Sequence, residues 1–220
     1  MRAAFTGALL FLATATTASA QVTFYSTSGA PDQGFAPQQL LVNFNGGPYN
    51  GVSFSGDYSI LPGSVSGAAA PAGVNSGFFA VPNVNGDANG SAIIDFQGFL
   101  ATQSITSLSF YWGSIDTYNT LEVLDQNLNV INFTGGANAG FLTGDDVATN
   151  ANGNQTISDT NRRLFLDFSN ASNFRALRLT SNGRAFEIDD IAVSVPEPGS
   201  LALLSAGMIG LFGVARKRRG

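Results

Sequence analysis

Ile105-Thr106-Ser107-Leu108-Ser109-Phe110-Tyr111-Trp112 is the stretch that decides the fold. Leu108, Phe110 and Trp112 share one parity while Ser107, Ser109 and Tyr111 share the other, so an extended chain here has one apolar face and one mixed face. That is the period of a half-buried strand, and it puts Trp112 in a core. Moving outward, short apolar runs recur between clusters of Gly, Asn, Asp and Pro, at 22–25, 40–44, 77–81, 92–96, 121–124, 128–133, 163–168, 175–180 and 184–193. Ten short strands separated by turn signals predict an all-β fold, a single β-sandwich or jelly-roll-like domain over residues 21–194. The composition of that body agrees: it holds all 19 asparagines and 20 glycines, has no lysine, and shows no sustained helical period.

Two local patterns refine this reading. Leu121 and Val123 oppose Glu122, and Asp125-Gln126-Asn127 then turns the chain before Leu128 and Val130, which predicts a hairpin. In the last run Phe186 and Ile188 lie on even positions but Ile191 and Val193 on odd ones, so the apolar face changes sides at Asp189-Asp190. A β-bulge or burial of the strand on both faces would each give that switch.

The body carries fourteen acidic residues against five arginines, a net charge of −9, while the whole chain stands at −5 because half of the basic residues sit at its ends. Such a surface repels nucleic acid and anionic lipid, leaving divalent cations and neutral sugars as the more fitting partners. There is no cysteine, so the fold is held without disulfides.

Both ends read as targeting segments. Residues 1–20 combine Arg2, a short apolar core around Ala8 to Ala13, and Ala18-Ser19-Ala20 before Gln21, the pattern of a signal peptide cleaved after Ala20. Export by the Sec machinery and removal by signal peptidase follow from it. At the other end, Val195-Pro196-Glu197-Pro198-Gly199-Ser200 leads into an uncharged run from Leu201 to Ala215 and then Arg216-Lys217-Arg218-Arg219. The run is ~22 Å of helix at ~1.5 Å per residue, and with Gly199 and Ser200 it just spans a hydrocarbon core of roughly 30 Å. The prolines break the chain between body and membrane helix, expected at about 199–215. The basic cluster 216–219 holds the tail end in the cytoplasm and puts the body outside.

These three parts of the tail, in this order, resemble the PEP-CTERM sorting signal of exopolysaccharide-producing Gram-negative bacteria, with Pro196, Glu197 and Pro198 as the sorting motif of the segment 195–220. The resemblance implies processing by an exosortase, a membrane-embedded transpeptidase-like enzyme, with cutting near the motif and transfer of the body to the cell surface or extracellular matrix. It implies a setting in an exopolysaccharide or biofilm layer and points to no known activity.

Within the body, missing residues exclude much chemistry. There is no histidine, and the single lysine is Lys217, so Ser-His, Cys-His, Ser-Lys and Schiff-base arrangements and His-ligated zinc are ruled out. A glycosidase-like carboxylate pair survives, with Glu122, Glu187, Asp189 and Asp190 as candidates. Asp189 and Asp190, a pair near a strand end, are the metal candidates, with calcium the ion that oxygen ligands fit. The polar stretch 135–161, with Asn150, Asn152 and Asn154 at alternate positions, reads either as a calcium loop or as a solvated connection. For stacking on sugar rings the candidates are Tyr49, Tyr58, Tyr111 and Tyr118. The expectation is therefore a non-enzymatic structural or glycan-binding surface protein, with a secreted glycan-active enzyme as the alternative.

Overall fold

A computed structural model describes residues 20–28, 35–171 and 173–196. Apart from Ala20, the predicted signal peptide lies outside the described residues, as do Glu197, Pro198, the apolar segment 199–215 and the basic cluster 216–219. Among the described residues no helix is long and apolar enough to cross a membrane.

The body is nearly all β, as its alternation predicts. In chain order the strands are β1 (Gln21–Ser28), β2 (Gln39–Val42), β3 (Ser53–Gly56), β4 (Ser59–Leu61), β5 (Phe78–Val81), β6 (Gly90–Asp95), β7 (Ser107–Gly113), β8 (Asn119–Asp125), β9 (Val130–Thr134), β10 (Leu142–Thr143), β11 (Arg162–Asp167), β12 (Phe174–Ser181) and β13 (Phe186–Ser194). Two single-turn helices, α1 (Gln97–Leu100) and α2 (Gly144–Val147), interrupt them. The strands form one curled half-barrel sheet in the order β3-β6-β12-β8-β9-β1-β11-β7-β13-β5-β4, with β10 on β8 and β2 on β13. Among the described strands only the β1–β9 pair is parallel, and it joins the two halves of the sheet. The end strands β3 and β4 are separated in sequence by Asp57 and Tyr58 alone, so the sheet bends back until its two edges meet at a corner.

One core fills the curl. Phe79, Phe110, Trp112, Leu164 and Ile188 approach it from one half, and Ile94, Leu121, Val123 and Leu177 from the other. Trp112 is fully buried and stacks on Phe186 with ring centroids 4.1 Å apart and planes 13° from parallel. Aromatic stacking of this kind adds roughly 0.5–1.5 kcal/mol to the area it buries. The hairpin at 125–129 forms as predicted, because Asp125 Oδ1 accepts the backbone N–H groups of Asn127 and Asn129, at 2.8 Å each. It differs in one detail. Leu128 sits in the turn at φ +63°, so the inward positions of β9 are Ile131 and Phe133 while Val130 is exposed.

The switch at Asp189-Asp190 has both expected causes. Asp189 pairs with Tyr111 and Ala192 with Ser109, so two residues of β13 oppose the single residue Phe110, which is a β-bulge. Asp190 takes φ +49° there. In addition, all of β13 except Ser194 is buried on both faces. The outer face is covered by a strap, residues 62–76, that connects β4 to β5. Pro71 lies so close to β7 that a Cβ on Gly113 would come within 2.5 Å of the Pro71 Cβ.

The stretch 135–161 is more structured than a solvated connection. It carries β10, α2 with its capping box between Thr143 and Asp146, and a bridge from Asn152 to Asp116. The strands missed by periodicity are β3, β4 and β10, which carry only one or two apolar residues each, too few for alternation to register.

Candidate functional site

The bulge leaves Glu187 and Asp189 on the outer face of β13, beneath the strap, beside Tyr111 of β7. The strap has little regular structure, so its backbone groups must find partners elsewhere or lose their hydration without compensation. Polar side chains of the sheet supply them. Glu187 Oε1 accepts the Ala69 N–H at 3.0 Å and its Oε2 accepts the Ser114 hydroxyl at 2.8 Å. Asn161 Oδ1 accepts the N–H groups of Ala72, at 2.8 Å, and Ser114, at 3.1 Å. The Tyr111 hydroxyl donates to the Ala72 carbonyl at 2.9 Å, and Ser76 donates to Asp189 Oδ2 at 3.4 Å.

Burial dominates the electrostatics of this row. It pushes the Glu187 carboxyl up to about 8, against the bonds from Ser114 and Ala69 and with help from the Asp116 charge. Asp189 is pushed up to about 7, first by burial and then by the neighbouring Asp190. The Tyr111 hydroxyl is pushed up to about 12, again by burial. Both carboxyls are therefore largely or partly protonated near neutrality, which makes them hydrogen-bonding groups more than charges.

Next to Glu187 is a cavity of about 160 Å³ that also exposes Asp116, Ser114 and Arg184. Asp116 is raised by burial. The Tyr118 hydroxyl lies 2.6 Å from Asp116 Oδ2 and 2.8 Å from the Arg184 carbonyl, and having one proton it donates to one of them at a time. Gly153, at φ +69°, backs onto Asp116, and a side chain there would collide with the carboxylate. The Arg184 guanidinium is held by the carbonyls of Val84 and Gly86.

The structure separates the candidates. Glu187 and Asp189 share one face, whereas Glu122 lies on β8 in the other half, where Arg178 binds both its oxygens at 2.5 and 2.6 Å. Asp189 Oδ1 accepts the Asp190 N–H at 2.8 Å, and the Asp190 carbonyl accepts from Arg163 at 2.9 Å. Among the described residues no group of three or more His, Cys, Asp and Glu side chains gathers. Asn152 and Asn154 do not converge on a centre, since their oxygens close turns onto the N–H groups of Asn154 and Thr156.

Each tyrosine candidate is buried or half-buried. Tyr111 is buried, Tyr49 and Tyr58 are half-buried in the ring cluster of Phe44, Phe54 and Phe79, and Tyr118 packs against Gly183. Their apolar neighbours explain this, because residues 44–58 and 78–81 bring many phenylalanines to the corner where the sheet closes. Sequence reasoning missed Asn161 and Asp116. Asn161 could not be singled out among 19 asparagines, and for Asp116 the only signal is Tyr118 two residues on.

β13 runs directly into the tail, with Ser194 its last residue and Val195 packed against the core. Residues 194–219 match the PEP-CTERM protein-sorting motif. The chain carries that signal with no spacer after its last strand. The PEP-CTERM segment implies exosortase as the processing partner and supports exosortase-dependent sorting of a surface protein, as in Gram-negative bacteria. Among curated proteins, none matches the chain.

Proposed function

We propose that the chain is an exported component of an exopolysaccharide or biofilm matrix. In this reading its acidic domain, a sandwich-like variant of the curled sheet, serves a structural or glycan-binding role without catalysis. The Sec machinery delivers the precursor, signal peptidase removes residues 1–20, the segment 199–215 holds the intermediate in the inner membrane, and exosortase acts near Pro196, Glu197 and Pro198. The observation that carries this is the PEP-CTERM segment adjoining β13. The absence of catalysis is supported by the buried carboxylates, whose oxygens are taken up by Ala69 of the strap, by the Ser114 hydroxyl and by the Asp190 N–H of the bulge. Replacing Pro196 and Pro198 by alanine should leave the precursor in the membrane fraction; normal surface display of that variant would defeat the sorting reading.

A second reading has one observation in its favour, that Glu187 and Asp116 line the same cavity and both have raised carboxyls. A glycan-active enzyme built on that pair would release reducing ends from the host polysaccharide and stop doing so in Glu187→Gln. In the proposed reading the polysaccharide keeps its length. The domain also needs no metal, so EDTA should leave its melting temperature unchanged, and a fall restored by calcium would show a site at Asp189 and Asp190 or in the 150–154 turn.

A further inference from the structure

On the outer face of the sheet, away from the strap, the register sets two rows side by side. One runs Tyr25, Phe165, Ser109 and the other Thr23, Asp167, Ser107, Ser194. Tyr25 and Phe165 stack in parallel, with centroids 4.6 Å apart and planes 5° from each other. Tyr25 is 59% exposed, the most exposed large hydrophobic side chain among the described residues. The segment 35–38 crosses the same face and forms an opposite wall. Gln38 fixes it there, donating to the Ser107 hydroxyl at 2.9 Å and accepting from Ser109 at 2.5 Å, and Arg163 lies 4.9 Å from the Phe35 ring centre.

Between these walls is a groove of about 230 Å³, and among the described residues that line it Asp167 is the one charged side chain. We infer that this groove binds a neutral saccharide, with one sugar ring lying on the Tyr25 face and its hydroxyls bonded by Asp167, Ser107 and Ser194. Four features point to that ligand class. A flat aromatic pair offers a surface to the C–H face of a pyranose. The floor is polar and not fully engaged: Asp167 Oδ1 accepts the Ser169 N–H at 2.7 Å, which leaves Oδ2 for a hydroxyl. The walls are held in place before any ligand arrives, which lowers the ordering cost of binding. Finally, the net charge of −9 on the body and the Asp167 carboxylate in the groove repel acidic polysaccharides. The volume is below the roughly 300–1,000 Å³ of pockets for drug-sized ligands, so the groove takes one ring of a longer chain.

This inference rests on the glycan-binding form of the proposed function and gives it a location. The test uses the chain purified from the producing cells, titrated calorimetrically with the neutral oligosaccharide fraction of those cells' exopolysaccharide, and separately with phosphatidylcholine vesicles. Wild type should bind the oligosaccharides, Tyr25→Ala should weaken binding about tenfold or more, and Asp167→Asn should weaken it less, with melting temperatures close to wild type. Binding that ignores Tyr25→Ala would overturn the groove while leaving a glycan-binding domain with its site elsewhere. No binding by wild type would overturn the groove together with glycan binding, leaving the sorting reading and a structural role. Tyr25-dependent binding to the vesicles and not to the oligosaccharides would overturn the inference by making the patch a membrane contact.

Discussion

The outer face of this sheet has two regions built on the same strands and treated in opposite ways. Over β7 and β13 it is covered by the strap, and the polar side chains beneath it are buried and bonded to it, Glu187, Asn161 and Tyr111 to its backbone and Asp189 to the Ser76 hydroxyl. Over β1 and β11 it is open, with Tyr25 exposed and Asp167 at the surface. Acidic residues gathered on one strand drew attention in the sequence, yet they hold the fold together. The residues of the proposed groove are an unremarked Tyr, Phe and Asp two or three strands away.

That contrast can be broken by substitution. The largest effect should come from the core both regions share: Trp112→Ala removes a fully buried ring and should lower stability by about 3–5 kcal/mol in denaturant unfolding. Under the strap, Glu187→Ala leaves the Ala69 N–H and the Ser114 hydroxyl without their acceptor and should cost about 2–3 kcal/mol. A loss no greater than that of a surface substitution would mean that the strap does not depend on it. Gly113→Ala drives a methyl group into Pro71 and should cost about 1–3 kcal/mol. Limited proteolysis should then cut first within residues 62–76, and cutting elsewhere would argue against that contact.

Acidity sharpens the comparison further. The Glu187 carboxyl sits at about 8 in the folded protein and ordinarily at 4.5, so folding favours its protonated form. Its contribution is complete below pH 4.5 and is lost as pH rises through 8, and Asp189, raised to about 7, acts in the same direction. The melting temperature should therefore be higher at pH 5 than at pH 8.5. Asp95 and Asp146, lowered by their hydrogen bonds despite burial, act in the opposite sense only below their ordinary value of 3.8, outside that window. Glu187→Gln keeps an acceptor for Ala69 and should flatten the pH dependence; an unchanged slope would place its origin elsewhere. The smallest stability effect belongs to the open region, where Tyr25→Ala removes a half-exposed ring and its stacking on Phe165 and should shift unfolding by about 0.5–1 kcal/mol.

Much of the fold was legible because one side of nearly every strand faces one core. The alternation in 105–112 places Leu108, Phe110 and Trp112 in the core, although the strand is buried on both faces and not half-buried, and the parity switch at 189–190 becomes a bulge at the predicted place. Invisible was the strap. Periodicity reports which residues are buried against a core, and says nothing of an irregular segment crossing the outer face, so Tyr111 read as exposed when it is covered. The same limit hid Asn161, whose importance comes from backbone groups 89 and 47 residues away in sequence. The sorting segment was legible for the reverse reason, being a linear signal whose parts follow one another along the chain.

The central claim is that the folded domain reaches the cell surface by way of the segment that begins at its last strand. Mass spectrometry of the C-terminus of the chain recovered from the surface of the producing cells tests it most directly. The account predicts a chain that ends near Pro196 to Pro198 and lacks the apolar segment and Arg216 to Arg219. Surface material that still carries Gly220 would contradict it.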